Sequence, residues 1–199
     1  PRSLALFNEA ILRNISSTIQ YGQKSIVLDR TAYVNRLKEL LRNGKHVLVS
    51  GESGSGKSAI VKQFWEKVKD EEEMVVLFLP ASQMNVRSVN DVFRFDVDYT
   101  FASFRNFYNG HKVKILVVDS AEKLLDQERT IGAQLLLEGL AEQGWQFVLT
   151  CKNNAIQQLK ERLSDYAITF DNIVVDNLAE NEIKELAGAY GFPIPINQK

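Results

Sequence analysis

The stretch Gly51-Glu52-Ser53-Gly54-Ser55-Gly56-Lys57-Ser58 constrains this chain more than any other part of it. Its spacing, G-x-x-x-x-G-K-[ST], is that of a loop built to hold phosphate. Glycines let the backbone curl so that successive N–H groups point inward, and a following helix turns the positive end of its dipole to the same anion. Lys57 is then expected to reach the β- and γ-phosphates, and the Ser58 hydroxyl to bind Mg²⁺, a hard cation that prefers oxygen. Such a loop needs a strand before it and an amphipathic helix after it. Lys45-His46-Val47-Leu48-Val49-Ser50 reads as the strand, and Ile60, Val61, Phe64 and Val68 form the helix stripe. Nucleotide contacts are expected from Gly51, Glu52, Ser53, Gly54, Ser55, Gly56, Lys57, Ser58 and Ala59.

The remaining pattern predicts what surrounds the loop. Leu4, Phe7, Ile11, Ile15 and Ile19 recur at spacings of three or four, which predicts one long helix face, and Val34, Leu37 and Leu41 predict a second helix closed by Asn43-Gly44. The unbroken apolar run Met74–Leu79 reads as a buried strand, and Val113–Asp119, Trp145–Thr150 and a stretch near Ile168–Val175 read as further strands. Helices are expected up to about Gln143, over 155–164 and over 179–190. Strands alternating with helices call for an α/β fold in three layers, a central parallel sheet covered on both faces. Glu71–Glu73 reads as a solvated turn.

Composition narrows the partners. The 199 residues, 45% hydrophobic, suffice for one sizeable core, since a domain of this size hides roughly 70% of its unfolded surface. With 24 Lys and Arg against 25 Asp and Glu, bulk charge argues for neither nucleic acid nor an acidic membrane. Cys151 is the single cysteine, which excludes an internal disulfide and points to a reducing compartment, the cytoplasm. No apolar run approaches a membrane span, and Pro1-Arg2-Ser3 is no signal peptide. The chain reads as a segment of a longer polypeptide.

A second acidic position sets the class. Ile115–Val118 ending in Asp119 is a buried strand that delivers a carboxylate at its carboxyl edge, beside the metal that Ser58 would hold; the alternative is an Asp that caps the next helix. It resembles a Walker B motif, as Gly51–Ser58 resembles Walker A. The strand and helix between them, Met74 to about Tyr108, resemble the additional-strand division of P-loop ATPases, in which another strand separates the Walker A and Walker B strands. Glu122, three residues beyond Asp119, is the candidate for orienting the attacking water. In this division that glutamate most often follows the aspartate directly, where this chain has Ser120; the alternative for Glu122 is a first-turn glutamate favoured by the helix dipole. Phe147–Thr150 followed by Cys151 and Lys152 resembles the strand-Thr-x-Arg signature of STAND ATPases, the signalling ATPases that include NACHT proteins. Thr150 is therefore a candidate sensor of the γ-phosphate, and Lys152 replaces an arginine without its planar fork. Either residue also fits a strand end that meets solvent. Ile26-Val27-Leu28-Asp29-Arg30 and the helix after it resemble the segment that AAA+ and STAND ATPases place beside the adenine, with Arg30 as the contact; Arg30 as a helix cap or a partner of Asp29 is the alternative.

The resemblance implies ATP or ADP with Mg²⁺ as cofactors, Lys57, Glu122 and Thr150 as the catalytic group, and Ser58 and Asp119 as metal ligands. It also implies three parts: an N-terminal helical extension over 1–24, a P-loop ATPase core over 25–177, and over 178–199 the start of a helical lid. The expected function is an ATP-binding switch or assembly domain of a larger STAND-type or AAA+ protein, with ATP hydrolysis, slow if present, the reaction at issue. Alternatives are a DNA-associated AAA+ ATPase of replication or repair type and a nucleotide-binding module without turnover. A GTPase is disfavoured, because Asp119-Ser120-Ala121-Glu122 and Cys151-Lys152-Asn153-Asn154 break both of its motifs. Expected partners are nucleotide, other domains of the same polypeptide, and further copies on ATP binding. Nucleic acid is not indicated: Phe93, Phe95, Tyr99, Phe101, Phe104, Phe107 and Tyr108, interleaved with Arg87, Arg94 and Arg105, could stack on single strands but fit a packed helix face better. Arg162 lies where AAA+ proteins carry an arginine finger; most helix arginines only solvate a surface. His46 and His111 lack ligand partners at metal spacing.

Overall fold

Five apolar runs pair side by side, all parallel, in a computed structural model that describes residues 2–21, 24–93, 100–126, 131–166, 168–178 and 180–191. In chain order the elements are α1 (Arg2–Leu12), β1 (Thr18–Tyr21), β2 (Lys24–Val27), α2 (Thr31–Arg42), β3 (His46–Gly51), α3 (Lys57–Val68), β4 (Met74–Pro80) and α4 (Phe101–Tyr108). They continue with β5 (Val113–Asp119), α5 (Ile131–Glu142), β6 (Gln146–Cys151), α6 (Ile156–Leu163), β7 (Phe170–Val175) and α7 (Glu180–Tyr190).

The large sheet runs β4-β5-β6-β3-β7. β3, β4, β5 and β6 are buried along nearly their whole length because both faces are covered, while the edge strand β7 is partly exposed. Val47, Val49, Val76, Phe78, Ile115 and Val117 point to the face carrying α2 and α3, while Leu48, Leu77, Leu79, Leu116 and Leu149 point to the face carrying α4, α5 and α6. This is the three-layer α/β fold the sequence predicts. The strand physically between β3 and β5 is β6, whereas β4, which intervenes in sequence, lies at the edge. The chain leaves β3 towards one side of the sheet and reaches β7 on the other, so the carboxyl ends of β3 and β6 flank a topological switch point, where open α/β sheets bind ligands.

Three regions differ from expectation or refine it. The helix predicted through Ile19 stops at Leu12, and Ile19 lies in β1, which pairs antiparallel with β2. Ser16 explains the stop: its hydroxyl donates to the Thr18 carbonyl at 2.6 Å and accepts from the Thr18 N–H at 3.2 Å, giving the backbone local partners in place of helical ones. Second, α1 is docked, not splayed. Leu4 and Phe7 enter the core on one face of the sheet and Leu12 that on the other, while the Asn8 amide donates to Val76 O at 2.8 Å and accepts from Phe78 N–H at 2.9 Å. Asn8 thus stands in for a neighbouring strand along the open edge of β4. Third, Phe93, Phe101, Phe104 and Tyr108 are buried, Phe104 tilts against Trp145 with centroids 5.5 Å apart, and Arg105 lies over Phe101 and reaches Glu142. These rings are packing, and among the described aromatics of this stretch Phe107 alone is largely exposed. Arg94, Phe95 and Tyr99 lie outside the described residues, as do residues 192–199 of the expected lid.

Candidate nucleotide site

The phosphate loop leaves β3 at Gly51 and becomes α3 at Lys57. Gly54 and Gly56 take φ values of +82° and +94°, the left-handed region that an L side chain resists. Gly51 is needed for space instead: a Cβ there would come within 2.5 Å of the Val175 carbonyl on β7. Gly56 is also the N-cap of α3 and offers no side-chain oxygen, so the first-turn N–H groups keep no side-chain cap and face the loop's interior. Lys57 folds back across the loop, donating to Gly51 O at 3.0 Å and to Glu52 O at 2.7 Å.

A short chain of hydrogen bonds joins α3 to two strands, β5 and β6, at this edge. Ser58 Oγ donates to Asp119 Oδ1 at 2.8 Å, and Thr150 Oγ1 donates to the same oxygen at 2.6 Å. Thr150 also accepts from the Ser120 N–H at 2.9 Å, and Ser120 has φ +57°, the one positive φ at a non-glycine residue among the described ones. Asp119 therefore does not cap the following turn. It faces Ser58, and the chain bends sharply directly after it. Thr150, buried, touches Asp119, so its place is behind the carboxylate.

Other expected residues fall around this centre. Arg30, buried, sends its Nη2 to Ser55 O at 2.9 Å and lies alongside Gly56, while its Nε has no partner. Asp29 accepts from Thr31 N–H at 2.9 Å, a bond that holds its carboxyl below the ordinary range. Arg30 is thus committed to the loop and not to Asp29. Glu52 is exposed, and Asn153 Nδ2 donates to it at 3.3 Å, linking the loop to the turn after β6. Ser53 is exposed and Ala59 half-buried. Glu122 sits in a single 3₁₀ turn, Ala121–Leu124, with its Oε2 buried and unpartnered. Its charge is felt at Cys151, whose thiol is pushed up to about 11, first by burial and then by Glu122, against a smaller opposing effect of Lys57. Glu122 and Lys57 thus both lie close to the carboxyl end of β6. Arg162 lies in the last turn of α6.

One wall of the site escapes a reading of the sequence. Asn14, Ile15 and Ser16 face Gly54, Gly56, Lys57, Ser58 and Ala59 across an open cleft of about 370 Å³. Asn14 and Ile15 also line a second cleft of about 330 Å³ that reaches Asp119, with Phe78, Pro80 and Gln83. Lys62 of α3 donates to Ile15 O at 2.6 Å. Nothing in Asn14-Ile15-Ser16 marks it as a site by composition; only the helix's end at Leu12 would have hinted at it.

This sheet order, with a glycine-rich loop after β3 and an acid at the end of β5, defines an AAA+ P-loop ATPase domain. The chain belongs to the family of the P-loop containing dynein motor region, whose model matches residues 15–119. AMPPCP-bound DnaA from Aquifex aeolicus has a similar fold, with a TM-score of 0.53 and 20% identity over 83% of this chain and 52% of that one. Aeropyrum pernix ORC1 in complex with DNA gives 0.58 and 14%, over 83% of this chain and 50% of that one. Hsp104 of S. cerevisiae in its casein complex gives 0.57 and 14%, over 91% and 31%. At these identities the likeness is one of fold, and this chain spans about half or less of each structure. No curated protein sequence matches the chain. Among the described residues, no helix is long and apolar enough to cross a membrane.

Proposed function

We propose that this chain is the ATP·Mg²⁺-binding core of a larger, cytoplasmic, nucleotide-controlled switch or assembly protein of STAND or AAA+ type. The observation that carries the reading is the Ser58–Asp119–Thr150 hydrogen-bonded chain at the mouth of a phosphate loop whose helix N-terminus has no side-chain cap. The uncapped N–H groups of α3 bind the phosphates, and Lys57 exchanges its two loop carbonyls for the β- and γ-phosphate oxygens. Ser58 Oγ and Asp119 Oδ1 are hard oxygens 2.8 Å apart, a donor pair that suits Mg²⁺. Bound there, magnesium would neutralise charge developing on the phosphates.

Arg30 supports the loop from behind through Ser55, and Thr150 positions Asp119. Glu122 orients water, a role supported by an unpartnered buried oxygen near Lys57 and Cys151. Residues 1–24 precede the core of 25–177, and α7 begins a lid that closes on nucleotide. Other domains of the polypeptide, and further copies of it, are the partners that such closure would recruit. A DNA-associated role is the second reading, suggested by ORC1 in complex with DNA, and the buried rings at Phe101, Phe104 and Tyr108 weaken it.

The test separates turnover from binding. Glu122→Gln is expected to abolish phosphate release while ATP·Mg²⁺ still raises the melting temperature. Equal phosphate release in wild type and variant would remove Glu122 from the mechanism, and no release from either would leave a binding module without turnover.

A further inference from the structure

We infer that Asn14 is a further nucleotide-binding residue, a neutral contact to the terminal phosphate side of a bound triphosphate, and that Lys62 and Ile15 are the groups that hold it there. The inference rests on the nucleotide reading above and extends it to a segment outside both Walker motifs.

Placement comes first. Asn14 lines the cleft at the phosphate loop and also the cleft at Asp119, so it stands between the residues proposed for the phosphates and the acid proposed for the metal. Of its neighbours, Ile15 is apolar and packs on the core beneath α3, and the Ser16 hydroxyl is committed to the Thr18 backbone. The Asn14 carboxamide is thus the polar side chain this wall presents, and it is exposed.

The wall is fixed and not a loose linker. Ile15 is anchored twice, by its side chain in the core and by its carbonyl, which accepts from Lys62 Nζ at 2.6 Å. That carbonyl belongs to the turn ending α1, where Ile15 N–H still bonds Leu12 O at 3.0 Å, and a cation on such carbonyls is favourable. Lys62 itself sits one turn beyond Ser58 on α3, so the helix that carries the metal-binding hydroxyl also clamps the opposite wall. An amide suits this place. It donates to phosphate oxygen or to metal-bound water without adding negative charge next to Asp119, which an aspartate would do.

Binding of ATP·Mg²⁺ and of ADP·Mg²⁺ to the full chain, measured by titration calorimetry, tests this. Asn14→Ala should weaken ATP about tenfold and ADP no more than about twofold, and Asn14→Asp should widen that gap. Lys62→Ala should weaken both by a few-fold through loss of the clamp, and Lys62→Arg should restore most of it. Melting temperatures without nucleotide should not move for the Asn14 variants, which separates contact from folding. Wild-type affinities in both Asn14 variants, or equal losses for ATP and ADP, would overturn the inference while leaving the nucleotide site standing. Absence of binding in the wild type would instead sink the nucleotide reading, and this inference with it.

Discussion

The two ends of the same parallel strands are built on opposite terms. At the amino ends, buried polar groups find backbone: Gln146 Nε2 donates to Leu41 O at 2.7 Å, His46 Nδ1 accepts from Phe147 N–H at 3.0 Å, and Lys114 Nζ reaches Asn109 O. At the carboxyl ends, Ser58, Asp119 and Thr150 bond to one another, and Arg30 Nε, Ser50 Oγ, Ser55 Oγ and Glu122 Oε2 are buried without a hydrogen-bond partner. Unpartnered buried atoms lie on the amino side too, at Gln143 Oε1 and Trp145 Nε1, so the two ends differ in their bonded groups: backbone partners at the amino end, and at the other a carboxylate shared by two hydroxyls from separate elements. The carboxyl edge is the one proposed above to take the nucleotide.

That contrast can be broken by experiment. Trp145→Ala, at the amino edge, removes a fully buried ring packed on Phe104, and about 3–5 kcal/mol of stability should go with it in denaturant unfolding. The ATP affinity of the molecules that remain folded should not change; a loss of affinity at unchanged stability would reverse the assignment of the two edges. Lys57→Ala, at the carboxyl edge, should cost about 2–3 kcal/mol of ATP·Mg²⁺ binding with no loss of melting temperature in the absence of nucleotide. An undiminished thermal shift with ATP·Mg²⁺ would remove the phosphate site.

Asp119→Asn should shift the magnesium dependence of ATP binding about tenfold, and superimposable magnesium titrations would take Asp119 out of the metal site. The smallest effect belongs to His46. Burial lowers its pKa from the ordinary 6.5, and the neutral ring accepts the Phe147 N–H. As pH falls through that ordinary value the unfolded chain takes up a proton before the folded one does, so stability should decline on acidification and be complete above it. His46→Gln should flatten that part of the profile.

What could be read in advance follows how local each feature is. The phosphate loop is fixed by eight consecutive residues and their two flanking elements, so its spacing alone placed Gly54, Gly56, Lys57 and Ser58. Strand existence was legible from apolar runs, and so was the layering. Which strand lies beside which was not, because pairing is long-range: Thr150 meets Asp119 only through the neighbouring register of β5 and β6. Arg30 could be singled out by its position before α2, but its bond to Ser55, 25 residues on, is a product of folding. The hairpin of β1 and β2 was missed because four-residue strands carry too little alternation to outweigh an apparent helical period. Asn14 carried no signal at all.

The amide of Asn8 has a practical consequence. A protein started at residue 25 would retain all of Gly51–Ser58, Asp119 and Thr150, and would strip α1 from β4. Val76 O and Phe78 N–H would then offer an unguarded template to any extended chain in solution, including other copies of itself. Such a shortened protein should fail first as a colloid, precipitating as its concentration rises, before its affinity for a ligand could be weighed.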